Sequence, residues 1–136
     1  MGKDTESSDD TVEFAALTGL QIDKLIFSRY QLDIEFIDDD LTRMAGATFE
    51  TEISLKINNK EYVYNIQASS GSIPVGVLFG ARISGVLYRK SEFFTLQFER
   101  ELTLTCCRGA APEEAVPEFG SIRVFRGDVR FFMPLL

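Results

Sequence analysis

Apolar and polar side chains alternate with a period of two along most of this chain, as expected of strands that cover a core with one face and meet water with the other. Tyr30, Leu32, Ile34 and Phe36 alternate with Gln31, Asp33 and Glu35; Phe49, Thr51, Ile53, Leu55 and Ile57 alternate with Glu50, Glu52, Ser54 and Lys56; Leu102, Leu104 and Cys106 alternate with Thr103, Thr105 and Cys107. Further strands are predicted around Leu20 to Arg29, Ala81 to Lys90, Glu92 to Phe98, Ser121 to Phe125 and Val129 to Met133. Asp38-Asp39-Asp40 ends a strand, because Asp favours turns, and Leu41 to Gly46 reads as a loop or a single helical turn. Asn58-Asn59-Lys60-Glu61 reads as a hairpin turn centred on Asn59-Lys60, which sets Ile57 opposite Tyr62, Leu55 opposite Tyr64 and Ile53 opposite Ile66. Ile73 to Phe79 is apolar but broken by Pro74 and Gly76, which suits a short helix or a buried connector, and Arg108 to Pro117 is the clearest internal loop. The expected fold is therefore all-β, an antiparallel sandwich or small barrel of about seven to nine strands, with an α+β variant as the fallback.

One stretch answers another. Leu17, Gly19, Ile22, Leu25, Ile26 and Phe27 are matched at constant offset by Leu78, Gly80, Ile83, Val86, Leu87 and Tyr88; after a slip of one residue, Leu32, Ile34 and Phe36 are matched by Phe94, Leu96 and Phe98. The expectation is two similar halves, 17–67 and 78–133, each needing the other to bury its apolar face. They form one β-rich domain spanning 14–136, after an acidic segment 1–13 expected to be a flexible tail.

Charge narrows the classes of partner. The formal net charge is −7, and it is uneven: residues 1–61 carry fourteen acidic and six basic side chains, residues 62–136 seven and eight. Nucleic acid and anionic membrane are poor partners for such a chain, since both are bound through Lys and Arg. Neither a secretory signal nor a membrane-spanning stretch is evident, and Cys106 and Cys107 are adjacent, a spacing that suits small reduced residues, so a cytoplasmic protein is expected.

Histidine is absent, which removes the commonest general base and transition-metal ligand. Asp33 and Glu35 point the same way about 7 Å apart, but no apolar pocket marks either as a carboxylate-pair catalyst. Asp38 to Asp40 lack the glycine and glutamate spacing of a calcium loop, and Ser69-Ser70-Gly71-Ser72 lacks a phosphate-binding fingerprint. Arg126-Gly127-Asp128 spells an integrin-binding tripeptide, but glycine between two strands is what a tight turn requires. No catalytic residue, metal site or cofactor is assigned.

What remains is a surface. If the strands carrying Asp33, Glu35, Glu50 and Glu52 pair, these carboxylates join Asp38, Asp39 and Asp40 on one negative face suited to a cationic protein. In charge and size the chain resembles immunity proteins that block positively charged bacterial toxins; the likeness is one of general character, carried by no motif. The expectation is a non-enzymatic inhibitor of that kind. Two alternatives differ in class: a barrel whose twelve phenylalanines and four tyrosines line a cavity for an apolar ligand, and a homo-oligomeric module assembled through the terminal hairpin. There Phe125 and Phe132 fall on the opposite parity to Ile122, Val124 and Phe131, among Arg123 and Arg130; either the hairpin is buried on both sides or it presents a dimer seam.

Overall fold

The inward-facing positions of the alternating segments meet in a single core, filled by bulky side chains such as Phe36, Phe49, Phe94 and Phe119. A computed structural model describes residues 14–108, 118–126 and 129–136. The segment 1–13, the loop residues 109–117 and Gly127-Asp128 lie outside the described residues, and with them the expected tail and most of the tripeptide turn.

Among the described residues eleven strands run in chain order: β1 Gln21–Phe27, β2 Leu32–Ile37, β3 Arg43–Phe49, β4 Glu52–Ile57, β5 Lys60–Asn65, β6 Ser70–Gly71, β7 Ile83–Arg89, β8 Phe93–Phe98, β9 Leu102–Cys107, β10 Gly120–Arg126 and β11 Val129–Leu135. They form two antiparallel sheets packed face to face, ordered β1-β2-β3-β10-β11 and β6-β5-β4-β9-β8-β7. The architecture is the all-β sandwich expected from the alternation. The sheets do not close into a barrel; of the aromatic side chains expected to line one, Phe36, Phe49, Phe94 and Phe119 pack the core between the sheets, whereas Phe27, Tyr30, Phe79 and Phe132 are exposed. A 3₁₀ turn, Val75–Leu78, follows Pro74, and its buried Leu78 anchors the connector between the halves.

Each sheet takes three strands from one half of the chain and its remaining strands from the other. The hairpins β1-β2 and β7-β8 carry the same irregularity, a register shift between Ile22 and Lys24 and between Ile83 and Gly85. Where they meet, Gly19 N–H donates to Ile83 O and Gly80 N–H to Ile22 O, while Ile22 N–H donates to Ala81 O and Ile83 N–H to Leu20 O. Exchanging the two hairpins turns each of these bonds into another, so they are related by an approximate two-fold axis near the bridge between Gln21 and Arg82. Gly19 and Gly80 share a left-handed backbone, with φ of 90° and 78°, a conformation that favours glycine.

Three local readings are corrected. Leu41 to Gly46 is not a loop or a helical turn throughout: Arg43–Phe49 is a central strand whose small Ala45 and Ala47 face the core. The unbroken alternation from Phe49 to Ile57 hides a crossing from one sheet to the other at Glu50-Thr51, where Ile66 N–H bonds Thr51 O. The hairpin turn centres on Asn58-Asn59, pairing Ile57 with Lys60, Leu55 with Tyr62 and Ile53 with Tyr64. Asn58 takes the left-handed φ of 55° that a two-residue turn needs, and because the shift is by two positions the tyrosines keep their inward parity.

Candidate functional site

The acidic side chains divide by element. On the outer face of β2, Asp33 accepts from Thr48 Oγ1 at 2.5 Å and from Gln31 Nε2 at 2.7 Å, and Arg123 Nη1 donates to the same Thr48 hydroxyl at 2.7 Å. One row along, Glu35 lies 3.8 Å from Lys24 Nζ, with both side chains substantially exposed. Asp38 is structural: it accepts from Thr42 N–H and Thr42 Oγ1, each at 2.8 Å, and from Arg43 Nε at 3.3 Å, closing the turn from β2 to β3. Burial pushes its pKa up, but the bonds from Thr42 and Arg43 outweigh this and hold it down to about 2. Asp39 receives Arg82 Nη2 at 2.6 Å across the junction of the halves, and Asp40 is exposed beside it.

Glu50 and Glu52 stand on either side of the crossing. Glu52 opens β4, opposite Cys107 in the second sheet, so it does not share the surface of Asp33 and Glu35. The expected face of seven carboxylates is thus not formed, because β2 pairs with β3 and not with the strand that bears Glu52. Glu50 stays near Asp33 and gains a neighbour absent from the sequence reading. Its N–H donates to Phe119 O at 3.0 Å, which brings Glu118 alongside. Burial raises the Glu50 pKa first, and the negative charges of Glu118 and Asp33 add to it. Among the described residues no ion pair involves Glu50 or Glu118, and Glu118 lies too far along the chain from Glu50 for any local pattern to join them.

Of the residues proposed for an oligomer seam, Phe132 is 62% exposed on the outward face of the edge strand β11, and Phe125 is half-buried. Arg123 lies over Gly46, where its guanidinium fills the space a Cβ would need. The side chain of Arg130 lies outside the described residues. The cysteines are free thiols; burial pushes Cys106 up to about 12, and Cys107 is raised by burial and by Glu52 and Glu61. Among the described residues there is no group of three or more Cys, Asp or Glu placed to hold a metal ion, and no helix long and apolar enough to cross a membrane. A cleft of about 340 Å³ opens at one end of the sandwich beside Gly80.

No protein-family model, curated protein or solved structure matches this chain.

Proposed function

We propose that this protein is a non-enzymatic binding domain that neutralises a cationic protein partner, an inhibitor of the immunity type. Its docking surface is centred on Asp33, Glu50 and Glu118, with Glu35 at the margin. The observation that carries the reading is a grouping of carboxylates: the β2–β3 and β3–β10 ladders and the Glu50–Phe119 bond bring Asp33, Glu50 and Glu118 near one another, their negative charges add to burial in raising the Glu50 pKa, and among the described residues no ion pair involves Glu50 or Glu118. A Lys or Arg from a partner removes that repulsion on binding, so the complex gains energy that the free protein lacks. The net charge of −7 steers such a partner toward the domain. We place the protein in the cytoplasm, where free thiols stay reduced, and we read its two halves as copies of one five-stranded unit.

The test is capture of a basic protein at about 50 mM salt and again at several hundred millimolar, where surface charge is screened. Glu50→Gln with Glu118→Gln should weaken the captured complex about tenfold at low salt and much less at high salt. Unchanged affinity in the double variant would overturn the reading. A second reading rests on exposed Phe132 on the unpaired edge of β11, a seam for a second copy of the chain. Sedimentation of Phe132→Ser beside the parent distinguishes it, since only a dimer through this edge would dissociate.

A further inference from the structure

The outer face of the sheet β1-β2-β3-β10-β11 points away from the core, and the ladder registers lay its side chains out in rows. Ile37, Met44 and Phe125 form one row across β2, β3 and β10; Lys24, Glu35, Gly46 and Arg123 form the next; Asp33, Thr48 and Ser121 form a third. The first row is apolar where a wet face is ordinarily polar, and Met44, on the central strand, is 47% exposed. In the second row the gap left by Gly46 is filled by the Arg123 guanidinium, held there by its 2.7 Å bond to Thr48, so no ridge interrupts the middle of the face. Among the described residues Glu35 has one ion pair, the exposed 3.8 Å contact with Lys24, which water screens.

We propose that this face receives the same face of a second copy of the chain, across a two-fold axis running along β3 past Gly46. The inference goes beyond the docking reading and does not rest on it. Its basis is that the face is complementary to itself. Rotation about that axis keeps each row and exchanges β2 with β10, so Ile37 meets Phe125 of the second copy, Met44 meets Met44, and Glu35 meets Arg123. The two Arg123 guanidinia approach one another near the axis, and the two Glu35 carboxylates bracket them, which closes the centre with charges of both signs. An axis across the strands would instead set Glu35 on Glu35 and Ile37 on Asp33. Strands related by the first axis stay aligned, as in ordinary packing of sheets face to face. Five strands about 4.8 Å apart and rows spanning about 20 Å give roughly 500 Å² per copy, on the order of 1,000 Å² for the pair, the lower limit of a specific interface. One feature opposes the contact: Glu50, next in line after Thr48 on β3, comes to the same end in both copies, and each chain carries a net charge of −7. Low salt therefore works against the pairing.

The intact protein is sedimented at about 50 mM and about 500 mM salt. A dimer with a dissociation constant of roughly 10 to 100 μM is expected, several-fold tighter at the higher salt, where the like charges are screened. Met44→Glu sets a carboxylate against its own copy at the axis and should weaken the dimer about tenfold or more; a melting temperature near the parent's shows that the variant folds. A second measurement is independent of that variant. A residue on a two-fold axis meets its own copy, so Met44→Cys treated with a short bismaleimide should give a cross-link between the two positions 44, which neither the parent nor Val63→Cys on the other sheet should match. A monomer at both salts up to several hundred micromolar, or a dimer that loosens as salt rises, would overturn the inference. So would a dimer that survives Met44→Glu and is lost in Phe132→Ser, since Phe132 lies on the edge strand, at the margin of this face, and Met44 two strands in from that edge. The docking reading fails separately: Glu50→Gln with Glu118→Gln should weaken capture of a basic protein and tighten self-association, and if capture is unchanged while Met44→Glu still dissociates the dimer, the self-paired face stands and the docking surface falls.

Discussion

Two carboxylates at opposite ends of the β2–β3 hairpin illustrate opposite uses of the same group. Asp38 spends its charge inside its own turn, so its folded pKa lies near 2, below the 3.8 of an unperturbed aspartate. A depressed carboxyl stabilises the fold above its unfolded pKa, and that contribution is lost as pH falls from about 4 toward the folded value. Thermal melts should therefore show Asp38→Asn well below the parent at pH 7, with the gap closing as the pH approaches about 2. Glu50 is displaced the other way: the folded state favours its protonated form, so ionisation at neutral pH works against the fold. Glu50→Gln should raise the melting temperature at pH 7 and leave it unchanged well below the ordinary carboxylate range. A binding surface held at some expense of stability behaves in this way; a lowered melting temperature at pH 7 in Glu50→Gln would show that the carboxylate is satisfied from within and remove the basis of the docking surface.

The strands show where the sequence carries structural information and where it does not. β2, β4, β8 and β9 are legible because bulky apolar residues alternate with polar ones over most of their length. β3 is not: Arg43-Met44-Ala45-Gly46-Ala47 contains no β-branched residue, and its strand state comes from ladders to β2 and β10 on both sides. Those ladders bring the backbones so close that small residues become obligatory. A Cβ at Gly120 would collide with the Thr48 carbonyl of β3, a backbone atom that cannot move aside, whereas one at Gly46 would meet the Arg123 guanidinium at 2.5 Å, which can. Denaturant titration should find Gly120→Ala destabilised by about 2 kcal/mol or more, and Gly46→Ala by about 1 kcal/mol as Arg123 gives up Thr48. The site was legible only in part for the same reason. Alternation runs straight through Glu50-Thr51, so nothing local shows that Glu52 leaves for the other sheet, and Glu118 reaches Glu50 only because β10 lies beside β3.

The interleaving of the halves governs how the chain holds together. Residues up to Gly71 supply β1-β2-β3 to one sheet and β4-β5-β6 to the other, and the second half completes both through the β3–β10 and β4–β9 ladders. Separating the halves strips both of these ladders, exposes the inward faces of Phe36, Phe49, Phe94 and Leu104, and leaves each piece with open strand edges. Neither half buries enough apolar surface to offset its chain entropy, and below about 60–70 residues a single core is marginal even when complete. The connector Gly71 to Pro74, by contrast, contributes little: Gly71, Ser72 and Pro74 are exposed and Ile73 is only half-buried. Two peptides, 14–71 and 72–136, should each be unfolded by circular dichroism when alone and should recover the β spectrum and a one-to-one complex on mixing. A folded monomer from either peptide would mean that one sheet can be closed from within a single half, without the β3–β10 and β4–β9 ladders.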